Sequence, residues 1–488
     1  MDRLRQIVFG PESDGAVDAE LPLATEIDRA HLVMLTEAGI VPQPQACAIL
    51  REISHLRAAD FAPLRGCSAP RGLYILYENY LINKLGAGTG GILQTARSRN
   101  DLKATLLYMR LRQPVHNLLR ETLRLQAVLL RRARRFADVT MPAYTHYQAA
   151  LPITYGHYLA GIASALDRHI NALMRHTDDL AQCPLGAGAI GGTSFPIDTA
   201  RTAALLGFRK SVRNSIDAVA SRDVVLRLLA ECGILGILLS RAATDLLQWM
   251  TQEFSFLDLP DALVGRSSMM PQKRNPFFLE HVQGRHTTAI GGFVAAAAAM
   301  QAKPFTNSIS VGTEAVDHIW KALEHVSESL VLLRTVIAAA RPRPGNMCDR
   351  AVQGYTEATE LAKRLVTGKG LPFRTAYDMV GDLVKRAHSA HEPLAAVAAA
   401  SFGRASELCA GLQPQSIARA SRYGGGPGAT MECVLELHSL WTGHMKCNAQ
   451  QARDWRRAGV LLHEAVQHLM NAAQTQRSLP VELLISKP

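Results

Sequence analysis

Residues 221–253 read SRDVVLRLLAECGILGILLSRAATDLLQWMTQE. No proline and no turn cluster interrupts the run, so as one helix it spans roughly 50 Å at 1.5 Å per residue. Its apolar residues go almost all the way round: Val224, Val225, Leu228, Leu229, Ile234, Leu235, Ile237, Leu238 and Leu239. A helix that is apolar on every side is a buried helix. At this length it needs several other helices around it, from this chain or from further copies of it.

The flanking sequence supplies such partners. Leu102 to Phe136 and Tyr155 to Ala181 repeat apolar residues at three- and four-residue spacing, which is the helical period. Phe277 to Ala302 reads as a further helix ending in a run of alanines that permits close approach. Upstream, a polar irregular arm over the first 20 residues gives way to helical spacing from Glu26 to about Leu56 and from Tyr74 to Leu85. From about Arg350 the helices shorten and loops multiply. No β-alternation of convincing length is visible. The expected fold is all-α with three domains: 1–95, a central long-helix bundle over 96–350, and a small helical domain over 351–488.

Composition agrees and excludes several classes. The 488 residues are 48% hydrophobic, 19% charged and only 6% aromatic, which suits helices packed on helices better than a β-sandwich. The net charge of +11 is scattered. Its densest knot, Arg131, Arg132, Arg134 and Arg135, sits on a helical pattern without interleaved aromatics, so no nucleic-acid partner is expected. No apolar run reaches the roughly 20 residues of a membrane span, and no signal peptide opens the chain, so neither a membrane nor secretion is expected. Eight cysteines form no CxxC pair and no metal-spaced cluster, which reads as reduced thiols in a cytoplasmic protein.

Two motifs are decoys. Gly186-Ala187-Gly188-Ala189-Ile190-Gly191 spells a dinucleotide fingerprint, but a helical pattern rather than a strand precedes it. His388 and His391 lie three apart without an evident third metal ligand. The strong signal is GRSSMMPQKRNP at 265–276. Serines after a glycine, then a lysine and an asparagine just before a helix, make a loop that can wrap a carboxylate and set a hydroxyl beside it.

This loop closely resembles the GSSxMPxKxNP signature of the fumarase/aspartase superfamily, with Arg266 in the place of the leading glycine. Thr95 to Asp101 (TARSRND) and Tyr144 to Gln148 (YTHYQ) resemble the first two blocks of the argininosuccinate lyases. Pro184 to Thr193, Asn214 to Val219 and Pro372 to Tyr377 extend the similarity over nearly the whole chain. The resemblance implies an all-helical homotetramer whose subunits pool their long helices into a twenty-helix core, with each active site drawn from three subunits. It implies elimination of an amine from a succinyl skeleton to give fumarate, without metal or organic cofactor. The partner is then a small dicarboxylate substrate.

The resemblance also implies roles. Ser267 is the base that removes a proton beside a carboxylate. Lys273, Asn275 and the loop amides, with Ser268 and Met270 alongside, meet the dianion that forms. Arg99, Asn100 and Thr145 hold the substrate carboxylates, with Ser98 and Gln148 in the same blocks. His146 acts near the leaving nitrogen and Glu280 orients and charges it. Arg97 and Asp101 read as scaffold ion partners.

Departures gather on the amine side. The family's tyrosine, glutamine and lysine places after the signature are Asn307, Gly312 and Ala315, and a family serine that helps bind the guanidino end aligns with Asp28. Gln94 stands for a histidine and Leu151 for a glutamine. An N-substituted aspartate other than argininosuccinate is therefore the expected substrate. Two readings stay open beside it: a genuine argininosuccinate lyase of arginine biosynthesis, and a non-catalytic crystallin-like protein.

Overall fold

The computed structural model describes residues 3–4, 7, 14–69, 72–403 and 406–477. Most of the expected N-terminal arm lies outside the described residues, but helix α1 (Asp14–Glu37) already begins within it. With α2 (Gln43–Ala58) and α3 (Leu73–Leu85) it encloses Ile27, Leu35, Ile49, Ile53, Tyr77 and Leu81 in one apolar cluster. Each such side chain contributes about 1.5–3 kcal/mol when fully buried.

The bundle is built from α4 (Arg99–Arg135), α5 (Tyr155–Asp179), α6 (Asp223–Met250) and α9 (Ile319–Ala339), with α7 (Phe277–Arg285) and α8 (Thr287–Met300) between the last two. α4 starts at a capping box: the Ser98 hydroxyl accepts from the Asn100 amide at 3.3 Å, while Asp101 accepts from the Ser98 amide at 3.0 Å. Thr154 caps α5 by accepting from the His157 amide at 3.1 Å. Leu111, Leu118, Leu129, Leu159, Leu166, Leu228, Leu235, Leu330 and Leu333 share one core.

Helix α6 differs from the expectation in one respect. Val224, Val225, Leu228, Leu229, Leu235 and Leu239 are buried, but Ile234 and Ile237 are 56% and 45% exposed in the single chain. The apolar residues all round the helix therefore exceed what one chain covers. Helix α8, packed on α6, adds exposed Ile290 and Val294.

Three further expectations are corrected. The helix expected over 277–302 breaks at His286 into α7 and α8. The break lies at a close approach to α6, since a Cβ on Gly236 would meet the His286 Cβ at 2.2 Å. A β-hairpin is present where none is legible: β1 (Thr140–Thr145) pairs antiparallel with β2 (Gln148–Thr154), with Pro142 opposite Pro152. Prolines withhold ladder donors, which masks the strand pattern. Finally, helices shorten after Arg350 only as far as α14 (Pro414–Ala420). α10 (Pro344–Gln353), α11 (Ala358–Lys369), α12 (Phe373–Ala390) and α13 (Leu394–Phe402) come first, and Leu361, Leu365, Val380, Leu383 and Leu394 form a separate small core. The last helix, α15 (Pro427–Arg477), runs 51 residues and packs back along α1, α2, α4 and α5.

Candidate active site

Each block comes from a different kind of local structure. The first precedes α4. Ala96 has φ of 62°, a left-handed turn that swings the chain into the Ser98 cap. Arg97 points inward and pairs with Asp28 at 2.6 Å, both side chains wholly buried, and it also donates to the Tyr74 hydroxyl. Burial lowers the Arg97 pKa, but Asp28 and the tyrosines outweigh it, so the net shift is upward. His31 Nε2 donates to the Thr95 carbonyl oxygen, 2.8 Å away. Burial first, then Arg97, brings its pKa down to about 3, so its ring is neutral. This cluster fixes residues 95–97 from below, leaving Arg99 exposed and Asn100 half-buried at the start of α4.

The glycine stretch set aside as a nucleotide fingerprint serves the same block. Gly186 and Gly188, with φ of 106° and 60°, aim their amides at the Asp101 carboxylate, at 3.0 and 2.9 Å. Burial raises the Asp101 pKa, opposed by these amides and that of Ser98. The next carbonyl, Ala189, accepts from Asn100 Nδ2 at 2.9 Å.

The second block is the tip of the hairpin. His146 and Tyr147 have φ of 49° and 63°, the pair of left-handed residues that a type I′ hairpin turn requires. Thr145, His146, Tyr147 and Gln148 are all exposed there. Beside the tip lies a cavity of about 900 Å³, lined among others by His146, Tyr147, Arg241, Thr244 and Asp245. Asp245 accepts from Tyr158 at 2.7 Å, and burial raises its pKa.

The signature loop is a second, smaller hairpin. Gly265–Arg266 pairs antiparallel with Arg274–Asn275, and Arg274 anchors it to Asp261 and the Leu259 carbonyl. Inside the loop the Ser267 Oγ accepts from the Met269 and Met270 amides at 3.3 and 3.0 Å. Ser268, Met270 and Lys273 face solvent, Asn275 is half-buried, and Glu280 is exposed in the first turn of α7.

The structure brings some of these residues together within one chain. Asn307 donates to Asn100 Oδ1 at 2.9 Å, so the 304–315 block touches the first block. Asp28, expected among the substrate-binding residues, is instead wholly buried, with its oxygens engaged by Arg97 and Tyr74. Among the described residues no hydrogen bond joins Ser267, His146 and Glu280 within one chain, and no group of His, Cys, Asp and Glu could hold a metal ion. No described helix is long and apolar enough to cross a membrane.

Comparison with known proteins places this arrangement in a family. A family model described as lyase matches residues 78–291, and one described as argininosuccinate lyase C-terminal matches residues 355–420. The argininosuccinate lyase of Methanosarcina mazei is 30% identical over 93% of this chain and 92% of its own length. The structure of EDDS lyase in complex with formate superposes with a TM-score of 0.86 at 26% identity, covering 95% of this chain and 94% of that one. An EDDS lyase variant with bound fumarate gives 0.85 at 27% identity over the same shares. The chain belongs to the argininosuccinate lyase-like branch of the fumarase/aspartase superfamily and is a carbon–nitrogen lyase.

Proposed function

We propose that this lyase releases fumarate from an N-substituted aspartate other than argininosuccinate, with Ser267 as the base, in a homotetramer whose sites combine blocks from different subunits. The observation that carries the chemistry is at Ser267. Its Oγ accepts two backbone N–H bonds, from Met269 and Met270. Hydrogen bonds to the charged form of a group favour that form, so this pair lowers the cost of the alkoxide that an ordinary serine reaches only at great expense.

The alkoxide takes the proton from the carbon beside the substrate carboxylate. Negative charge builds on that carboxylate, where Lys273, Asn275 and loop amides stabilise it. The C–N bond then breaks, its electron pair leaves with the nitrogen, and a proton supplied through His146 neutralises the departing amine. Arg99, Asn100 and Thr145 grip the carboxylates, Arg99 suited to a two-point hold. The EDDS lyase with bound fumarate supports a dicarboxylate product for this fold. The exposed hairpin tip and the exposed Ile234 and Ile237 support completion of both site and core by further copies.

A second reading, argininosuccinate itself, is favoured by the Methanosarcina mazei relative over nearly the full length. Asn307, Gly312 and Ala315 speak against it, because they remove bulk and donors from the amine-side block. The test of the chemistry is Ser267→Ala. Fumarate release should fall by 10²-fold or more, roughly the contribution of a general base, while circular dichroism and the number of subunits stay unchanged. Retained turnover would move the base elsewhere.

A further inference from the structure

A side-chain amide has one end that donates and one that accepts, and only the donating end can hold a carboxylate. Asn100 must therefore be held the right way round. Its two neighbours do this. The Ala189 carbonyl can only accept, and takes one proton of Asn100 Nδ2 at 2.9 Å. The amide nitrogen of Asn307 can only donate, and occupies Asn100 Oδ1 at 2.9 Å. A flipped Asn100 would set donor against donor and acceptor against acceptor. The second proton of Nδ2 is what remains to meet a substrate oxygen.

With the Asn307 nitrogen on Asn100, the Asn307 Oδ1 faces Gly312 in the π-helical turn Ser310–Glu314. A Cβ on Gly312 would stand 3.2 Å from that oxygen, tighter than ordinary packing, so the neighbour has to give. The bare glycine leaves room for the Asn307 rotamer that reaches Asn100.

We infer that Asn307 is a positioning residue for the dicarboxylate grip, that Gly312 is its permissive partner, and that the two act on substrate through Asn100. Residues in the block that faces the leaving amine thus also set how the succinyl end is held. Amine choice and carboxylate binding are coupled in this chain. The inference rests on the proposed fumarate-releasing reaction and deepens it.

Fumarate is the discriminating probe, because it carries no amine. A residue that acts only at the amine end leaves fumarate binding unchanged; a residue that orients Asn100 does not. The experiment measures fumarate dissociation constants by calorimetry, and kcat and KM with the best N-substituted aspartate, for wild type, Asn307→Leu, Gly312→Ala and the double variant. Asn307→Ala accompanies them, since it removes the donor without adding bulk if leucine disturbs the loop. Loss of the Asn307 donor should weaken fumarate binding about tenfold, the scale of one hydrogen bond to a charged-site partner, with the cost in KM and kcat changed less. Gly312→Ala should weaken it several-fold alone, and add nothing once Asn307 is gone, which is the non-additivity of coupled neighbours. Fumarate binding unchanged in both Asn307 variants, or strictly additive effects, overturns the inference while the lyase reading stands. A wild-type protein that neither binds nor releases fumarate overturns both.

Discussion

A Cβ on Gly354 would come within 2.6 Å of the Ala149 methyl, so the end of α10 and strand β2 meet backbone against side chain with no space between them. β2 is half of the hairpin that carries His146, and α10 packs along the other half, β1. The hairpin tip is exposed, yet its base is clamped.

Gly354→Ala should therefore act on the hairpin. Overpacking of this kind costs about 1–3 kcal/mol, which thermal unfolding will show. Turnover and fumarate affinity should both fall, because the displaced tip carries Thr145, proposed to hold a substrate carboxylate, as well as His146, proposed to protonate the departing amine. A variant with wild-type melting and turnover would mean that the contact is soft.

Asp28 and Arg97 form a fully buried ion pair. Removing one partner of such a pair strands the other and typically costs about 3–5 kcal/mol. Asp28→Ala should show that loss in urea unfolding, and its residual activity should track the folded fraction. Normal stability with altered amine preference would instead return Asp28 to the substrate wall.

Glu357 opens α11 with its side chain buried, and one carboxylate oxygen is enclosed without a partner. Burial pushes its pKa up to about 7 from an ordinary 4.5. The folded state thus holds a proton that the unfolded state has released between those values. Glu357 accordingly favours folding below pH about 4.5, and that contribution is lost as pH rises through about 7. Glu357→Gln should be near neutral at pH 5 and stabilising at pH 8.5, by up to about 3 kcal/mol. Equal melting shifts at both pH values would show that the group does not titrate in this range.

Much of this was legible in the sequence where one local run carried the information. Helix α6 could be read because nothing in 221–253 stops a helix, and the signature loop because its serines, lysine and asparagine stand together. What depends on distant partners could not be read. Pro142 and Pro152 hide the hairpin. The break at His286 lies against Gly236, fifty positions away on α6. The last helix runs unbroken along the bundle through Gly428, Gly443 and Gly459, where shorter helices are the expectation from the sequence. The Asn307–Asn100 bond joins residues 207 positions apart. Asp28 matched a substrate-binding place by local order alone, and only the fold brings Arg97 to it.

Assembly can be tested at the face that one chain leaves uncovered. Ile234 and Ile237 on α6 are exposed, and a further copy would bury them. Light scattering should give four subunits for the wild type and a smaller, still helical species for Ile234→Glu with Ile237→Glu. A wild-type protein that is a stable monomer when dilute would contradict the shared core and the shared site.

The central claim concerns what the enzyme cleaves. Fumarate release should be measured side by side for argininosuccinate and for a panel of aspartates bearing other amines on nitrogen. Two or three missing polar contacts at about 1–3 kcal/mol each reduce argininosuccinate turnover by roughly 10²-fold or more, so the panel should contain a substrate with clearly higher kcat/KM. Argininosuccinate turnover at about 10⁴ M⁻¹s⁻¹ or above, unmatched by any other member, would contradict the account and make this chain an argininosuccinate lyase in activity as well as in family.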